Sequence, residues 1–283
     1  MIINCKDLAI SIKNNVKNTI ESKNLRLTLA LISVNQDEAS KIYLKNKIIA
    51  CNYCGIETVI INANENTTEK EIINIINRLN NDKKITAIIV QLPLPKNFNE
   101  ERIINTINPK KDVDCLTNYN LGKFFYQKKE NNNILLPCTA NGCIKIIKSI
   151  YKDISGKKAV IIGRSNISGK PIAQLLLQEN CSITILHSKS KDISEETLRA
   201  DIIVIAIGKA KFLKKEMINE NSLIIDVGIN RINNKIYGDV DFDNVSEHCK
   251  YITPVPNGVG KLTVACLLEN ILKCFFIQES GNE

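Results

Sequence analysis

The chain has 283 residues, of which 44% are hydrophobic and 24% are charged. This length exceeds the size at which one hydrophobic core usually suffices, so it predicts two domains, and the composition excludes an intrinsically disordered chain. No apolar stretch reaches the roughly 18 residues that a membrane-spanning helix needs. The start of the sequence also lacks the pattern of a secretory signal. We therefore expect a cytoplasmic protein that has no membrane partner.

The net charge of +8 raises the question of nucleic-acid binding. Nearly all the positive charge is Lys, scattered among Asn and Ile, and no basic stripe interleaved with aromatic residues is present. We interpret this charge as a solvated surface that would still attract anionic substrates such as a dinucleotide. No nucleic-acid partner is expected.

Ten Cys in a chain of this class predict reduced, mostly buried thiols. Cys51 and Cys54 form a C-x-x-C pair, but no second pair or nearby His completes a four-ligand zinc set. The favoured interpretation is two Cys in the last turn of a helix, so no metal is expected.

The first 115 residues alternate strand and helix patterns. Buried-strand patterns cover 27–33, 57–63 and 86–95, and helical patterns cover 39–54 and 68–80. Gly55 ends the first of these helices. Pro93 and Pro95 stop the third strand, because proline cannot donate to a ladder. This alternation predicts a largely parallel sheet covered by helices.

Residues 116–137 break the alternation, and the polar run 128–133 predicts an exposed turn between two extended pieces. A second alternating unit follows. Its predicted strands cover 157–163, 182–187, 201–208 and 223–230, and its predicted helices cover 170–180 and 262–276. The last helix is apolar on nearly every side, which indicates that it is buried and packs back on the first domain.

The turn at 163–171 has the context of a dinucleotide site. Gly163 and Gly169 lie between a strand and a helix that has Pro171 near its first position, although the spacing is not G-x-G-x-x-G. Arg164 lies where a cation could meet a 2′-phosphate, and Ser188 follows the next strand, where NAD enzymes carry Asp or Glu. The charge pattern favours NADP over NAD; the alternative is a basic surface turn beside an ordinary strand.

Three clusters of candidate catalytic residues occur in the first unit. Tyr43 and Lys47 are four residues apart and share one helix face. Gln91 ends the third strand, and Asp112 and Asp114 flank Val113 in the loop-like segment KKDVDC. Taken singly, each has an ordinary explanation as a surface residue or a turn. Together with the segments described in the next paragraph, they favour a catalytic role.

Across nearly its whole length the sequence resembles the methylenetetrahydrofolate dehydrogenase/cyclohydrolase family. The matching segments are ASKIYLKNK (39–47), VQLPLP (90–95), INPKKDVD (107–114), LPCTANG (136–142), GRSNISGKP (163–171), HSKS (187–190), DVGIN (226–230), GDVDF (238–242) and TPVPNGVGKLTVA (253–265). The resemblance implies NADP-dependent oxidation of 5,10-methylenetetrahydrofolate and hydrolysis of the methenyl product to 10-formyltetrahydrofolate. It implies one shared folate site and a place in one-carbon metabolism and purine biosynthesis.

The resemblance also implies residue roles. Lys47 is the expected catalytic Lys, Tyr43 lies against the folate, Gln91 orients the Lys, and Asp114 holds the pterin. The expected cofactor-binding residues are Gly163, Arg164, Ser165, Ser188 and Ile229, and the expected substrate-binding residues are Tyr43, Gln91, Leu92, Asp114, Pro256 and Gly258. A homodimer formed through the dinucleotide domains and the absence of a metal are implied as well.

The implied fold class is α/β with two domains. An N-terminal α/β folate and catalytic domain covers 1–116 and is completed by a C-terminal helix at 265–283. A Rossmann-like, doubly wound NADP-binding domain covers 117–264.

Several positions depart from the family pattern. Asn257 replaces a Gly, which is a mild change if the position needs a positive φ. Lys261 replaces a Pro, Cys115 replaces a Gly, and Ala140 with Asn141 replaces Pro-Lys. These changes bear on efficiency and substrate fit more than on the fold.

The sequence disfavours three other functions. A monofunctional NAD-dependent dehydrogenase of the same family is disfavoured because Tyr43, Lys47 and Gln91 are retained and because Arg164 and Ser188 favour NADP. A catalytically silent dinucleotide-binding protein is disfavoured by the complete catalytic set. A basic nucleic-acid-binding module is the weakest alternative.

Overall fold

A computed structural model describes residues 1–34, 38–63, 66–126, 134–233 and 235–280. The chain folds into two compact units. One unit comprises Met1–Ile10 and Thr139–Thr263, and the other comprises Ser11–Cys138 and Val264–Glu283. We name them the five-stranded unit and the three-stranded unit after their parallel sheets.

The helices and strands alternate along most of the chain. In chain order they are α1 (Cys5–Ser22), β1 (Thr28–Ser33), α2 (Glu38–Tyr53), β2 (Glu57–Asn62), α3 (Glu69–Asn81), β3 (Ala87–Val90), α4 (Glu100–Asn105), α5 (Asn118–Tyr126), α6 (Cys138–Ile150), β4 (Lys158–Ile162), α7 (Gly169–Gln178), β5 (Ser182–Leu186), α8 (Ile193–Leu198), β6 (Ile202–Ile205), β7 (Leu223–Asp226), β8 (Asn230–Ile232), β9 (Lys235–Tyr237), α9 (Phe242–Ser246), β10 (Tyr251–Ile252) and α10 (Val259–Glu279). Within the described ranges, no helix is long and apolar enough to cross a membrane.

The sheet of the three-stranded unit has the order β2-β1-β3, with all strands parallel. Its central strand β1 is almost wholly buried because apolar side chains cover both faces. On one face, α3 contributes Ile72 and Ile76, one helical turn apart, to the core. Thr68 and Glu71 form a capping box that fixes the start of α3. This packing holds the carboxyl ends of β1 and β3 side by side.

The sheet of the five-stranded unit has the order β10-β7-β6-β4-β5, and its strands are also parallel. From β4 the chain passes to β5 on one side and then crosses to β6 on the other. Such a reversal creates a crevice at the carboxyl ends of β4 and β6, which is the usual ligand-binding position in open α/β sheets. The order therefore places the loops after these strands at a candidate cofactor site.

The predicted strands and long helices are present, with shorter limits at several carboxyl ends. Strands β3, β6 and β7 stop at Val90, Ile205 and Asp226, several residues before their predicted ends. The residues beyond them form turns and loops that carry candidate functional side chains. The predicted extended piece before residue 128 is wrong, because α5 runs to Tyr126. The predicted turn at 128–133 lies outside the described residues.

The limits of the two units differ from the predicted boundaries at two segments. Residues 1–10 belong to the five-stranded unit, since the Ile3 N–H donates to the carbonyl of Ile252 at 2.9 Å. Residues 117–138 belong to the three-stranded unit, where Asn120 of α5 donates to the Asp112 carboxylate at 2.9 Å. Both differences arise from contacts between segments that are distant or irregular in sequence. The last helix contributes residues 264–279 to the three-stranded unit.

Candidate active site

Lys47 and Gln91 form the centre of the candidate site in the three-stranded unit. Lys47 lies on α2 and is only 7% exposed, and its Nζ donates to Gln91 Oε1 at 3.0 Å. The Gln91 side-chain Nε2 donates to the carbonyl of Leu92 at 2.7 Å, which turns Oε1 toward the amine. The Gln91 backbone N–H continues the ladder to Ile32 at 2.8 Å, just before the cis bond between Leu92 and Pro93. A sheet edge thus presents an oriented amide to a buried lysine.

Tyr43 lies one helical turn before Lys47 on α2 and is half-buried. Burial raises the pKa of its phenol above the ordinary value, at which the hydroxyl is already neutral at physiological pH. Cys51 lies one turn after Lys47 and is fully buried. Burial, followed by the effect of Cys54, raises the pKa of Cys51 to about 12, while the Lys47 charge acts in the opposite direction. Burial also raises the pKa of Cys54 to about 11, so both thiols of the C-x-x-C pair are protonated. Cys54 lies just past the end of α2 at Tyr53, so the prediction that both Cys occupy its last turn is wrong for Cys54.

The segment before Asp114 is anchored by two buried charged side chains. Lys111 Nζ donates to the backbone carbonyl of Asp82 at 2.7 Å. The Asp112 carboxylate accepts the Thr117 N–H at 2.9 Å, its hydroxyl at 2.8 Å and the Asn120 amide at 2.9 Å. Burial raises the pKa of Asp112, and these hydrogen bonds act against that rise. Asp112 thus organises the start of α5, which leaves Asp114 as the accessible carboxylate of the pair.

Asp114 is half-buried, and the backbone just before it is fixed from the last helix. Asn270 on α10 donates from Nδ2 to the carbonyl of Val113 at 2.8 Å and to that of Leu136 at 2.8 Å. The two hydrogen bonds join the loop of Asp114 to the segment that leads into α6. They hold the carboxylate on a backbone that is supported on both sides.

Cys138, the first residue of α6, links Asp114 to the lysine electrostatically. Burial, the Asp114 charge and a hydrogen bond to its carboxylate raise the pKa of the Cys138 thiol well above its ordinary value, whereas the Lys47 charge lowers it. Lys47 and Asp114 therefore act on one common thiol. No role was predicted for Cys138, and its position within LPCTANG was the available signal.

Pro256 and Gly258, the remaining expected substrate residues, belong to the five-stranded unit. The bond between Val255 and Pro256 is cis, and Pro256 is exposed. A side chain on Gly258 would overlap the carbonyl oxygen of Pro254, so this tight turn requires glycine.

The departures from the family pattern have clear structural positions. Asn257 has a φ of +77°, which confirms the condition under which its replacement of Gly is mild. Cys115 also adopts a positive φ, +58°, and its thiol donates to the carbonyl of Leu135 at 3.2 Å. Lys261 is exposed in the first turn of α10.

The turn after β4 in the five-stranded unit requires two glycines. Gly163 has a φ of +127°, and a side chain there would overlap the carbonyl oxygen of Ala206 after β6. A side chain on Gly169 would overlap the carbonyl oxygen of Gly163. The Ser165 hydroxyl accepts the Ser168 N–H at 3.2 Å and so supports the start of α7. Such close backbone packing at a helix N-terminus fits a dinucleotide phosphate, whatever the glycine spacing.

Arg164 and Ser188 are both exposed after the neighbouring strands β4 and β5. Ser188 lies at the tip of a turn in which the His187 N–H donates to the Ser190 hydroxyl at 2.9 Å. A guanidinium and hydroxyl groups suit a 2′-phosphate, which a carboxylate in the same place would repel. Ile229 is 46% exposed, just beyond β7 at the same edge of the sheet. The five-stranded unit therefore collects all five expected cofactor residues along one sheet edge.

Comparison with known protein families assigns both parts of the chain. Residues 3–114 match the catalytic domain of tetrahydrofolate dehydrogenase/cyclohydrolase, and residues 137–279 match its NAD(P)-binding domain. The chain belongs to the tetrahydrofolate dehydrogenase/cyclohydrolase family.

Individual members of the tetrahydrofolate dehydrogenase/cyclohydrolase family match nearly end to end. The bifunctional protein FolD of Clostridium beijerinckii is 45% identical over 283 residues, which covers 99% of this chain and 98% of the relative. The crystal structure of the bifunctional FolD of Campylobacter jejuni has a TM-score of 0.92 at 40% identity and covers 99% of each chain. The Trypanosoma brucei enzyme, solved with NADP cofactor and inhibitor, has a TM-score of 0.93 at 31% identity and covers 100% of this chain and 99% of its own.

Membership of the tetrahydrofolate dehydrogenase/cyclohydrolase family confirms several predictions. The predicted family and the two-domain α/β class with a Rossmann-like part are confirmed. The predicted pair of activities, dehydrogenase and cyclohydrolase, and NADP as the cofactor are confirmed as well. The expected absence of a metal stays a prediction; among the described residues, no group of three or more His, Cys, Asp or Glu side chains could hold a metal ion.

Proposed function

We propose that one folate site in the three-stranded unit serves both reactions. There 5,10-methylenetetrahydrofolate is oxidised with NADP, and the methenyl product is hydrolysed to 10-formyltetrahydrofolate. The observation that carries this proposal is the buried Lys47 amine, which is hydrogen-bonded to the neutral amide of Gln91. A lysine held in this way is suited to proton transfer rather than to a permanent ion pair.

Lys47 moves the proton in the hydrolytic step. Water attacks the cationic methenyl carbon, and a proton must then move before the ring opens. An amine can assist only when it is partly neutral, and a carboxylate partner would hold it charged. Gln91 accepts a hydrogen bond without adding negative charge, and its own bond to Leu92 keeps the acceptor in place. These contacts support Lys47 as the catalytic residue and Gln91 as the residue that orients it.

Asp114 and Tyr43 bind the folate. A carboxylate can accept two parallel N–H bonds from the amino-pyrimidinone edge of the pterin, and Asp114 is the accessible carboxylate of the KDVD segment. The neutral, half-buried Tyr43 offers an aromatic ring one helical turn from the lysine. Leu92 is a further proposed contact to the substrate in this unit, and the expected substrate contacts of Pro256 and Gly258, which belong to the five-stranded unit, stay predictions.

The dehydrogenase step depends on positioning more than on acid or base chemistry. Lone pairs on the two nitrogens that flank the methylene carbon drive the departure of the hydride. Bound NADP supplies the hydride acceptor. Gly163 and Ser165 would hold its phosphates at the start of α7, Arg164 and Ser188 would hold its 2′-phosphate, and Ile229 would offer an apolar contact. The same carbon then undergoes hydrolysis, so a single folate site suffices.

Paired progress curves test the proposal. Purified protein is mixed with 5,10-methylenetetrahydrofolate and either NADP or NAD, while the absorbances of reduced nicotinamide and of the methenyl compound are followed. Reduction of NADP without lasting methenyl accumulation is expected. Methenyl accumulation equal to the cofactor reduced would contradict the hydrolytic half, and the Lys261→Pro reversion would then be tested first. No reduction with either cofactor would overturn the proposal.

A cytoplasmic homodimer that supplies 10-formyltetrahydrofolate for purine biosynthesis completes the proposal. Its support is the resemblance to the family, which implies pairing through the dinucleotide-binding part. Sedimentation equilibrium of the purified chain should give twice the monomer mass, and a monomer mass at all concentrations would contradict it.

A further inference from the structure

Two buried carboxylates meet at the carboxyl edge of the five-stranded sheet, outside the residues assigned above. Asp226 is the last residue of β7 and is 2% exposed, and Asp239 follows β9 and is fully buried. Both lie in segments, DVGIN and GDVDF, that match the family but received no role from the sequence. Buried carboxylates destabilise a fold unless they are well hydrogen-bonded, so their partners indicate what they do.

Asp239 collects N–H donors from two loops. Its Oδ2 accepts the backbone N–H of Ile207 at 2.7 Å and that of Gly208 at 3.0 Å. Its Oδ1 accepts the N–H of Lys209 at 2.8 Å and the side-chain amide of Asn230 at 2.9 Å. One carboxylate therefore binds the loop after β6 to Asn230, the first residue of β8, at the end of the loop after β7.

Asp226 holds Asp239 in this position. Its carboxylate accepts the backbone N–H of Asp239 at 2.9 Å, of Gly228 at 3.0 Å and of Val240 at 3.0 Å. A side chain on Gly228 would overlap the Asp239 carboxylate, and one on Gly238 would overlap the Asp226 carboxylate. Each aspartate thus fills the space left by a glycine next to the other, and the pair has little freedom to shift.

The two loops joined by Asp239 belong to the cofactor edge. The loop of Ile207 follows Ala206, whose carbonyl oxygen lies directly against Gly163 of the phosphate turn. Ile229 lies between Gly228, which packs on Asp239, and Asn230, which is hydrogen-bonded to it. We propose that Asp239, held by Asp226, is a positioning residue for NADP, which fixes the loops after β6 and β7 before the cofactor binds. This inference rests on the NADP site proposed above.

Preorganisation gives the arrangement its effect on affinity. A loop that is already ordered loses less conformational entropy when a ligand binds, so its affinity is higher for the same contacts. With an amide in place of the Asp239 carboxylate, an NH₂ group would face N–H donors, and at least one of the four hydrogen bonds would be lost. Loss of one hydrogen bond that orders these loops predicts a rise of about tenfold in the Kd for NADP.

The Kd for NADP alone, without folate, tests this role in Asp239→Asn. The matched control is Ser222→Ala, which removes a buried hydrogen bond of 3.0 Å to Ala200 at the opposite, amino edge of the same sheet. Both variants should lower Tm, but only Asp239→Asn should raise the Kd, by about tenfold. The KM for 5,10-methylenetetrahydrofolate at saturating NADP should stay within about twofold.

A milder second variant keeps the test decisive if Asp239→Asn does not fold. Asn230→Ala removes one of the four donors to Asp239 and should raise the Kd for NADP several-fold. An unchanged Kd in the variants that fold would overturn the positioning role, and so would an equal rise in Ser222→Ala. Failure of the proposed function would appear differently, as wild-type protein that binds NADP but does not reduce it in the presence of 5,10-methylenetetrahydrofolate.

Discussion

The Lys47 amine lies 3.0 Å from the side-chain oxygen of Gln91, although the two residues are 44 positions apart in the chain. The lysine comes from a helix and the glutamine from the end of a strand, so their meeting depends on how α2 packs at the carboxyl edge of the sheet. The hydrogen bond from Gln91 Nε2 to the Leu92 carbonyl sets the direction of the amide and does not involve Lys47. The acceptor is therefore positioned by the sheet, and Lys47 is positioned by the acceptor.

Lys47→Met should remove cyclohydrolase activity and leave NADP binding intact. Loss of a proton-transferring side chain typically lowers a rate by about 10²–10⁴-fold. The methenyl absorbance should rise and persist whenever the dehydrogenase step still occurs. Lys45→Met is the matched control, because Lys45 is exposed on the same helix, and it should behave as wild type. Undiminished hydrolysis of added methenyltetrahydrofolate by Lys47→Met would contradict the assignment.

Gln91→Glu should lower the cyclohydrolase rate more than Gln91→Leu does. A carboxylate 3.0 Å from the lysine nitrogen would form an ion pair and retain the proton that Lys47 must transfer. Gln91→Leu removes the acceptor without adding charge, so Lys47 loses only its orientation. Rates of hydrolysis of added methenyltetrahydrofolate give the comparison. A rate in Gln91→Glu equal to or above that of Gln91→Leu would contradict the proton-transfer role.

Arg164→Gln should weaken binding of NADP but not of NAD. Loss of a charge-assisted hydrogen bond to the 2′-phosphate corresponds to about 1.5–3 kcal/mol, or roughly a 10–100-fold rise in KM for NADP. The control is Arg199→Gln on the same unit, where the exposed guanidinium pairs with Glu195. Steady-state kinetics with both cofactors give the comparison. A parallel loss for NADP and NAD would mean that Arg164 contacts a part common to the two.

Strands β1 to β7 and helices α2, α3, α7 and α10 were predicted, because their patterns are local, whereas α1 and α6 were not predicted. Runs such as 27–33 and 157–163 are nearly continuous in apolar residues, as buried parallel strands require. Helix α5 was not predicted, since the Asn-rich sequence at its start is poorly helical and its first turn depends on the Asp112 carboxylate. The placement of residues 1–10 in the five-stranded unit could not be predicted from the sequence either, because it depends on pairing with the distant residue Ile252.

The candidate site likewise has features that local sequence patterns predict and features that depend on contacts between distant segments. Helical spacing predicts only that Tyr43 and Lys47 share a helix face, and their roles come from the resemblance to the family. The glycines of the phosphate turn follow from its place between strand and helix. The contact of Asp114 with Cys138 and the hydrogen bond from Asn270 to Val113 join segments that no local pattern connects. Asp226 and Asp239 were visible only as members of matching motifs, because their partners are backbone N–H groups of other loops.

Asn257→Ala should destabilise the five-stranded unit, whereas Asn257→Gly should not. The φ of +77° at this position is unfavourable for alanine by about 1 kcal/mol, more readily adopted by asparagine and unstrained for glycine. Thermal unfolding should show Tm lowered by about 2–4 °C in the alanine variant. The side chain is exposed, so lost packing does not complicate the comparison. Equal Tm values for the two variants would contradict the backbone explanation.

Asp226 should make the enzyme lose stability as pH rises through neutrality. Burial, together with the neighbouring Asp239, raises the pKa of Asp226 to about 7 from 3.8, and backbone hydrogen bonds act against the rise. Between these pH values the folded state binds a proton that the unfolded state releases, so folding is favoured at low pH and this contribution vanishes above about pH 7. Wild type should lose about 2.5 kcal/mol more than Asp226→Asn between about pH 5 and pH 8. Urea unfolding at both pH values measures the difference. The buried Asp112 remains in both proteins, so its contribution cancels, and equal losses would show that Asp226 does not titrate in this range.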